Sequence, residues 1–305
     1  MDALLEWLMA GDPAIRWQTM RDLLDAQPSE YEAERRRVAS EGWGARLLAL
    51  QQADGSWGRH VYAKWTGTFY TMLVLRDFGL PEDNPGGRRA AALLLEAGHR
   101  AIDGGLNFAE AWKISETCIS GMGLATLGRF GDRDSRMDAV FEYLLREQMP
   151  DGGWNCQRHR GATHSSFHTT ISVLEGLHEW RLHTNDGRLD QALEGGHEFL
   201  LAHCLFRSHR TGAVVKDEFR RFHFPPRWHY DVLRGLDYLR TAGVGRDERM
   251  ADAVELVNER RQSDGRWRLA APHRGAEHVE IEKAGEPSRW NTLRALRVLR
   301  WWERR

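Results

Sequence analysis

Apolar residues recur at helical spacing in separated stretches of the chain. Met72, Leu73 and Leu75 form one such face. The others are Met122, Leu124 and Leu127; Val173, Leu174 and Leu177; Val232, Leu233 and Leu236; and Leu293, Leu296 and Leu299. A spacing near 3.6 residues predicts amphipathic helices. With the segment after Arg16-Trp17 added to these five faces, one of which spans 166–180, the pattern predicts six of them. A second set of helices alternates with the first, over 31–50, 88–101, 135–149, 188–203 and 246–261. It is richer in charge, which suits an outer layer. Long β-branched alternation is absent, so strands are expected to be minor.

Glycine turns punctuate the helices at a regular interval. Gln51-Gln52-Ala53-Asp54-Gly55-Ser56-Trp57, Gln148-Met149-Pro150-Asp151-Gly152-Gly153-Trp154 and Gln262-Ser263-Asp264-Gly265-Arg266-Trp267 share one plan, and Asp103-Gly104-Gly105-Leu106 is a weaker fourth. Asp54, Asp103 and Asp151 are 49 and 48 residues apart; Asp264 follows 113 residues later, about two periods. A missing member is expected near Thr211-Gly212. In each turn Gln ends a helix, Asp bonds nearby backbone N–H groups, Gly tolerates φ > 0, and Trp packs back on the turn. A basic residue beside Trp recurs where inner helices are expected to open: Arg16-Trp17, Lys64-Trp65, Trp112-Lys113, Arg227-Trp228 and Arg289-Trp290. Such periods signal a repeat architecture. Alternating inner and outer helices make either an open α-solenoid or a closed α/α toroid, and five to six pairs close a ring. The inner ring would enclose a central funnel with a mainly apolar pocket.

Composition sharpens this picture. The 305 residues are 41% hydrophobic and 29% charged, and the formal net charge is −1. That balance fits a globular protein and gives no support to a nucleic-acid binder. No run of eighteen apolar residues predicts a membrane span, and the N-terminus lacks the basic region and cleavage site of a signal peptide. Three cysteines, Cys118, Cys156 and Cys204, are too few for a disulfide framework. A reducing cytoplasm is the expected location. Thirteen Trp and thirty Gly are both high, and neither is spread at random.

The Gln-x-x-Asp-Gly-x-Trp turns resemble the QW repeats of squalene-type triterpene cyclases. The whole organisation, over roughly residues 12–302, looks like the α/α toroid shared by those cyclases and protein prenyltransferase β subunits. This implies an all-α toroid as a single domain over 1–305. The cyclases' acid motif Asp-x-Asp-Asp is absent; Asp132-Arg133-Asp134-Ser135 is the nearest string. The magnesium motif Asp-Asp-x-x-Asp is also absent. A standard squalene cyclase is therefore not expected.

The prenyltransferase resemblance reaches individual residues. In that family a Gly-Gly turn leads to a Lys and then an Asp-x-Cys opening an inner helix, and a His opening the next inner helix completes a zinc site. Here Gly104-Gly105 leads to Lys113 and then Glu116-Thr117-Cys118, while Gly152-Gly153 leads to His168. Cys118 and His168 are 50 residues apart, each six residues before a Leu, at Leu124 and Leu174. The resemblance thus implies zinc held by Glu116, Cys118 and His168, with Lys113 meeting a diphosphate. Carboxylate, thiolate and imidazole are all good zinc ligands, and three of them leave a fourth position open. The chain departs from the family pattern in three places. Glu116 replaces Asp, Ile119 replaces Tyr, and no Arg precedes Lys113. Zinc is implied more strongly than protein prenylation.

Other residues are weaker candidates. Cys156, His159 and His164 offer alternative ligands in the loop before His168. His229 follows Pro225-Pro226 and is a candidate acid–base group facing the funnel. Arg16, Lys64, Arg227 and Arg289 either ring a mouth for an anionic headgroup or stack on Trp. Arg294, Arg297, Arg300, Arg304 and Arg305 form a basic helix face expected to be solvated. The favoured reading is a zinc-dependent enzyme acting on an isoprenoid or other apolar small molecule, with a partner chain possible. Two alternatives stand beside it. One is a metal-free toroid enzyme, a divergent cyclase or a carbohydrate-active enzyme using Glu110, Glu116 and Asp231 as acids. The other is a non-catalytic lipid-binding or scaffold protein.

Overall fold

The glycine turns share one set of hydrogen bonds. Trp154 donates its backbone N–H to Thr170 Oγ1 at 3.0 Å and its indole N–H to Leu144 O at 2.8 Å. Trp57 repeats this with Thr68 and Leu47, and Trp267 with Thr292 and Val257. Each Trp is fully buried and joins the end of one outer helix to the start of the next inner one. It does so through the outer helix's last carbonyls. Gly152 has φ +88° and its Cα side lies against Gly195, where a Cβ would meet a carbonyl oxygen at 2.3 Å, so only glycine fits. Gln148 Nε2 bonds both Gly152 O and Ala192 O, fastening the turn to the following outer helix. Gln51 does the same with Gly55 O and Gly86 O. In the fourth turn Leu106 replaces Trp and donates to Ser120 Oγ at 2.8 Å. Near Thr211-Gly212 a bridge between Arg207 and Val214 closes a turn in the place of the missing member.

The structure is a computed structural model and describes residues 2–109 and 112–303. Its helices in chain order are α1 (Ala3–Met9), α2 (Pro13–Asp22), α3 (Pro28–Arg36), α4 (Gly42–Leu48), α5 (Thr68–Phe78), α6 (Pro85–Gly98), α7 (Thr117–Phe130), α8 (Ser135–Arg146), α9 (Phe167–Trp180), α10 (Gly187–Ala202), α11 (Val232–Thr241), α12 (Ala251–Glu259) and α13 (Arg289–Glu303). A two-residue strand pair, Trp267–Arg268 with Pro287–Ser288, is the one sheet among the described residues. No described helix is long and apolar enough to cross a membrane.

Helices α2, α5, α7, α9, α11 and α13 form the inner ring. Trp17 Nε1 of α2 donates to Phe78 O of α5. Arg76 of α5 pairs with Glu175 of α9, and Glu175 takes both forks of Arg234 from α11. Asp237 of α11 accepts from Arg297 of α13 at 2.6 Å. Arg297 then reaches Gln18 and Asp22 of α2 at 2.8 and 3.1 Å, which closes the circle. The fold is an α/α toroid.

Three expectations are corrected here. The segment 31–50 is two helices, α3 and α4, because Asp12 interrupts it: its carboxylate accepts from Ala14 N in α2 and Trp43 N in α4. Gly42, at φ +66°, makes room for that carboxylate, which a Cβ would meet at 2.0 Å. Arg294 is buried and Arg297 half-buried, not solvated, since α13 turns that face into the ring. Arg304 and Arg305 lie outside the described residues, as does Glu110. The basic-Trp phrases also lack a common register. Arg289-Trp290 begins α13, Arg16-Trp17 lies inside α2, and Arg227-Trp228 precedes α11.

Candidate functional site

The rim at the N-terminal ends of α7 and α9 is fixed by its turns. Asp103 accepts from Ser115 N and Oγ, and Leu106 O accepts from Glu116 N. Asp151 holds Ser165 in the same way. Glu116 therefore sits at the cap position of α7, with Cys118 two residues inside and its Sγ 3.2 Å from Glu116 Oε1. The loop after Trp154 brings Cys156 to the same place, where its backbone N–H donates to Thr169 Oγ1 of α9. Ligand atoms of Glu116, Cys118 and Cys156 all lie within 4.8 Å of one another.

The two thiols differ sharply. Cys118 donates its S–H towards Cys156 and Glu116, and with burial this holds its thiol well above the usual range. Cys156 accepts from Cys118, which brings it down to about 6 against the opposing effect of burial. The group thus presents a thiolate at neutral pH beside a thiol and a carboxylate. Two sulfurs and one oxygen are a coherent donor set for zinc, with a fourth position open.

His168 stands outside this group. Its Nδ1 accepts from Tyr230 N at 2.8 Å, so the neutral ring carries its proton on Nε2. Burial, with Lys216 and Arg234 nearby, lowers its pKa to about 4. His229 is stacked between Trp228 at 3.7 Å and His273 at 3.5 Å, and His273 stacks in turn on His223. Burial and the neighbouring imidazoles push His229 and His273 down to about 3. His229 is therefore an uncharged member of an aromatic stack. Lys113 is exposed on the loop before α7. Asp231 caps α11, accepting from Arg234 N and His223 N. Around the rim, Tyr62 packs on Phe69 and Phe108, and its hydroxyl bonds Tyr70 Oη at 2.9 Å. Of the four recurring basic residues, Arg289 covers Trp7, and Arg227 and Lys64 cover Trp65. Arg16 pairs with Glu34 instead.

A cavity of about 250 Å³ lies inside the ring, lined from all six inner helices. Its walls include Trp17, Leu73, Val74 and Trp290, but charge dominates: eight arginines face four carboxylates. This corrects the expected apolar funnel. The reason is that Arg76, Glu175, Arg234, Asp237 and Arg297 occupy the inward faces of otherwise apolar helices. Burial alone would raise Glu175, but Arg234 and Arg76 hold it at about 2. Asp237 is held low by Arg297 and Arg240 against the same burial. Both carboxylates are ionised, so neither is a protonated acid for attack on an alkene.

Cys156 was legible as a weak candidate, since it follows a turn Trp by two residues one period after the Cys118 turn. The arginine lining was missed. Its one signal is a charged residue inside each apolar stripe.

No protein-family profile and no curated protein matches the sequence. Among solved structures, the type II terpene cyclase MstE from Scytonema, in complex with its substrate geranylgeranyl dihydroxybenzoate, aligns over 94% of this chain and 85% of its own, with TM-score 0.51 and 16% identity. A protein from Actinoplanes aligns over 96% and 91%, with TM-score 0.49 and 14% identity. The chain has the terpene cyclase-like α/α-toroid fold.

Proposed function

We propose that this protein is a zinc-dependent toroid enzyme acting on an isoprenoid or similarly apolar substrate at the rim formed by α7 and α9. The observation that carries this reading is the convergence of Glu116, Cys118 and Cys156 within 4.8 Å. When bound there, zinc would supply a Lewis acid with an open position, able to activate a substrate thiol or polarise an oxygen. The chain's own residues prepare the site. Cys156 offers a thiolate without help from base, and Glu116 adds a carboxylate fixed by the turn at Asp103. Tyr62, Phe69 and Phe108 supply an apolar wall that excludes water. The isoprenoid substrate is supported by the complex of the Scytonema cyclase, which has this fold. The sequence resemblance to prenyltransferases supports the same class, with Lys113 as a flexible contact for a diphosphate and His168 and His229 as uncharged neighbours.

Elemental analysis of the purified chain tests the proposal. About one zinc per chain is expected, lost in Cys118→Ala and in Cys156→Ala. Retention in His168→Ala would leave three protein ligands; loss would add His168 as a fourth, after release of Tyr230 N. Protein purified without chelator that contains no metal and takes up none on titration would overturn the reading.

A further inference from the structure

Two of the three cysteines meet at the rim from separate elements. Cys118 lies in the first turn of α7, and Cys156 lies on the loop after Trp154. Their sulfurs are within 4.8 Å of each other and close enough to hydrogen-bond. The fold holds them there. Helices α7 and α9 touch main chain to main chain, where a Cβ on Gly176 would meet Gly121 O at 2.3 Å. The Cys156 loop is tied to α9 by Cys156 N–H on Thr169 Oγ1 at 3.3 Å, and it is closed on itself by Asn155 Nδ2 on His164 O at 2.7 Å. Neither sulfur is sealed off, since both cysteines are half-buried. Their other partners differ. Cys118 donates to Glu116 Oε1 at 3.2 Å, whereas Cys156 accepts from Gln157 Nε2 at 3.8 Å. Cys204 lies beyond the end of α10, outside this group.

We infer that Cys118 and Cys156 are a modification site: a hydroperoxide oxidises the pair to a reversible disulfide. Rotation about χ1 swings a cysteine sulfur between staggered wells, which closes the remaining gap without moving α7. Cys156 reacts first, because its sulfur accepts from Gln157 while the Cys118 hydrogen is engaged by Glu116. The Cys156 sulfur attacks the terminal peroxide oxygen and the O–O bond breaks. The departing oxygen takes the thiol proton and leaves as an alcohol, or as water from hydrogen peroxide. Cys156 is then a sulfenic acid, which a neighbouring thiol resolves. The Cys118 sulfur attacks that sulfur, the S–O bond breaks, and hydroxide takes the Cys118 proton and leaves as water. Two thiols have lost two electrons and two protons, and one hydroperoxide has been reduced. A dithiol reverses the bond by exchange. Where the rim holds zinc, the bond withdraws two of its three donors. That consequence rests on the zinc reading, whereas the bond itself rests only on the two sulfurs.

Hydrogen peroxide treatment of the full chain tests it. The chain is first stripped of metal with EDTA, so that failure here is separate from failure of the zinc reading. The intact mass should fall by two hydrogens per chain. Thiol titration in denaturant should count one free thiol where the reduced chain gives three. Peptide mapping without reductant should join the Cys118 and Cys156 peptides and leave the Cys204 peptide free, and dithiothreitol should return all three thiols. Cys204→Ser should oxidise as wild type does. Cys118→Ser should stop at the Cys156 sulfenic acid, gaining one oxygen that dimedone traps. Cys156→Ser should form no internal bond and take up oxygen at least about tenfold more slowly. Thermal melts report whether each variant folds. No loss of two hydrogens, a bond from either rim cysteine to Cys204 or to a second chain, or sulfinic acid at Cys156 in place of the bond would overturn the inference.

Discussion

Gly121 and Gly176 meet back to back where α7 crosses α9. A Cβ on Gly176 would lie 2.3 Å from Gly121 O, and one on Gly121 would lie 2.7 Å from Ser172 O. The two inner helices that carry Cys118 and His168 therefore touch through their backbones. Overpacking there cannot be relieved by a side-chain rotation, because the obstacle is main chain. Gly176→Ala is expected to cost about 2–3 kcal/mol, seen as a lowered melting temperature. Gly187→Ala, where a Cβ meets nothing within 4 Å, should stay within about 0.5 kcal/mol.

The turn threonines give a second test. Thr170, Thr68 and Thr292 each accept the backbone N–H of a buried Trp. Substitution by Val keeps the shape and removes the acceptor, leaving a buried donor unpaired. Each Thr→Val variant should lose about 1–3 kcal/mol by chemical denaturation. Near-equal losses at all three would show that the turns are energetically as well as geometrically alike.

Acid stability follows from the buried histidines. Their ordinary value is 6.5, and burial holds His168 and His197 at about 4 and His229 and His273 at about 3. Between those values the unfolded chain binds protons that the folded chain refuses, so falling pH favours unfolding. Glu175 has the same sign in a lower window: its stabilisation is complete above 4.5 and lost as pH falls towards about 2. The melting temperature should thus begin to fall near pH 6.5, before the carboxylates titrate. Replacing His229 and His273 together by Phe should flatten the slope between 6.5 and 4. A wild-type curve that stays level down to 4.5 would contradict this.

Alkylation separates the two thiols of the rim. In metal-free protein Cys156 should react with iodoacetamide with an apparent pKa near 6, against an ordinary 9, because Cys118 donates to it. Cys118 itself should be slow. In Cys118→Ala the donor is gone, and the Cys156 rate profile should move to higher pH. Mass spectrometry after timed labelling reads both sites, and a profile unmoved by that substitution would remove the proposed cause.

The periodic elements were legible because their causes are local. A Gln-x-x-Asp-Gly-x-Trp turn carries its own turn chemistry in adjacent residues, and an apolar stripe at 3.6-residue spacing names a helix face without its partner. From these the alternating helices and the ring follow. The split of 31–50 did not, because it depends on Asp12, some 30 residues earlier in the chain.

The sites depended on what lies across space. Glu116 and Cys118 are two residues apart and were found together, whereas Cys156 reaches them only because Thr169 and the Asp151–Ser165 contact fold its loop back. His168 shares the register of Cys118, but register does not fix a ring's hydrogen bonds, and Tyr230 N takes its Nδ1. Arg294 and Arg297 read as a solvated face because their partner Asp237, nearly 60 residues away, is invisible to local pattern. Sequence by itself determined the helices, the turns and their repetition, since these are set by short-range backbone and packing chemistry. Only tertiary structure decided that the funnel is charged, because a buried ion pair is stable only when both partners arrive together.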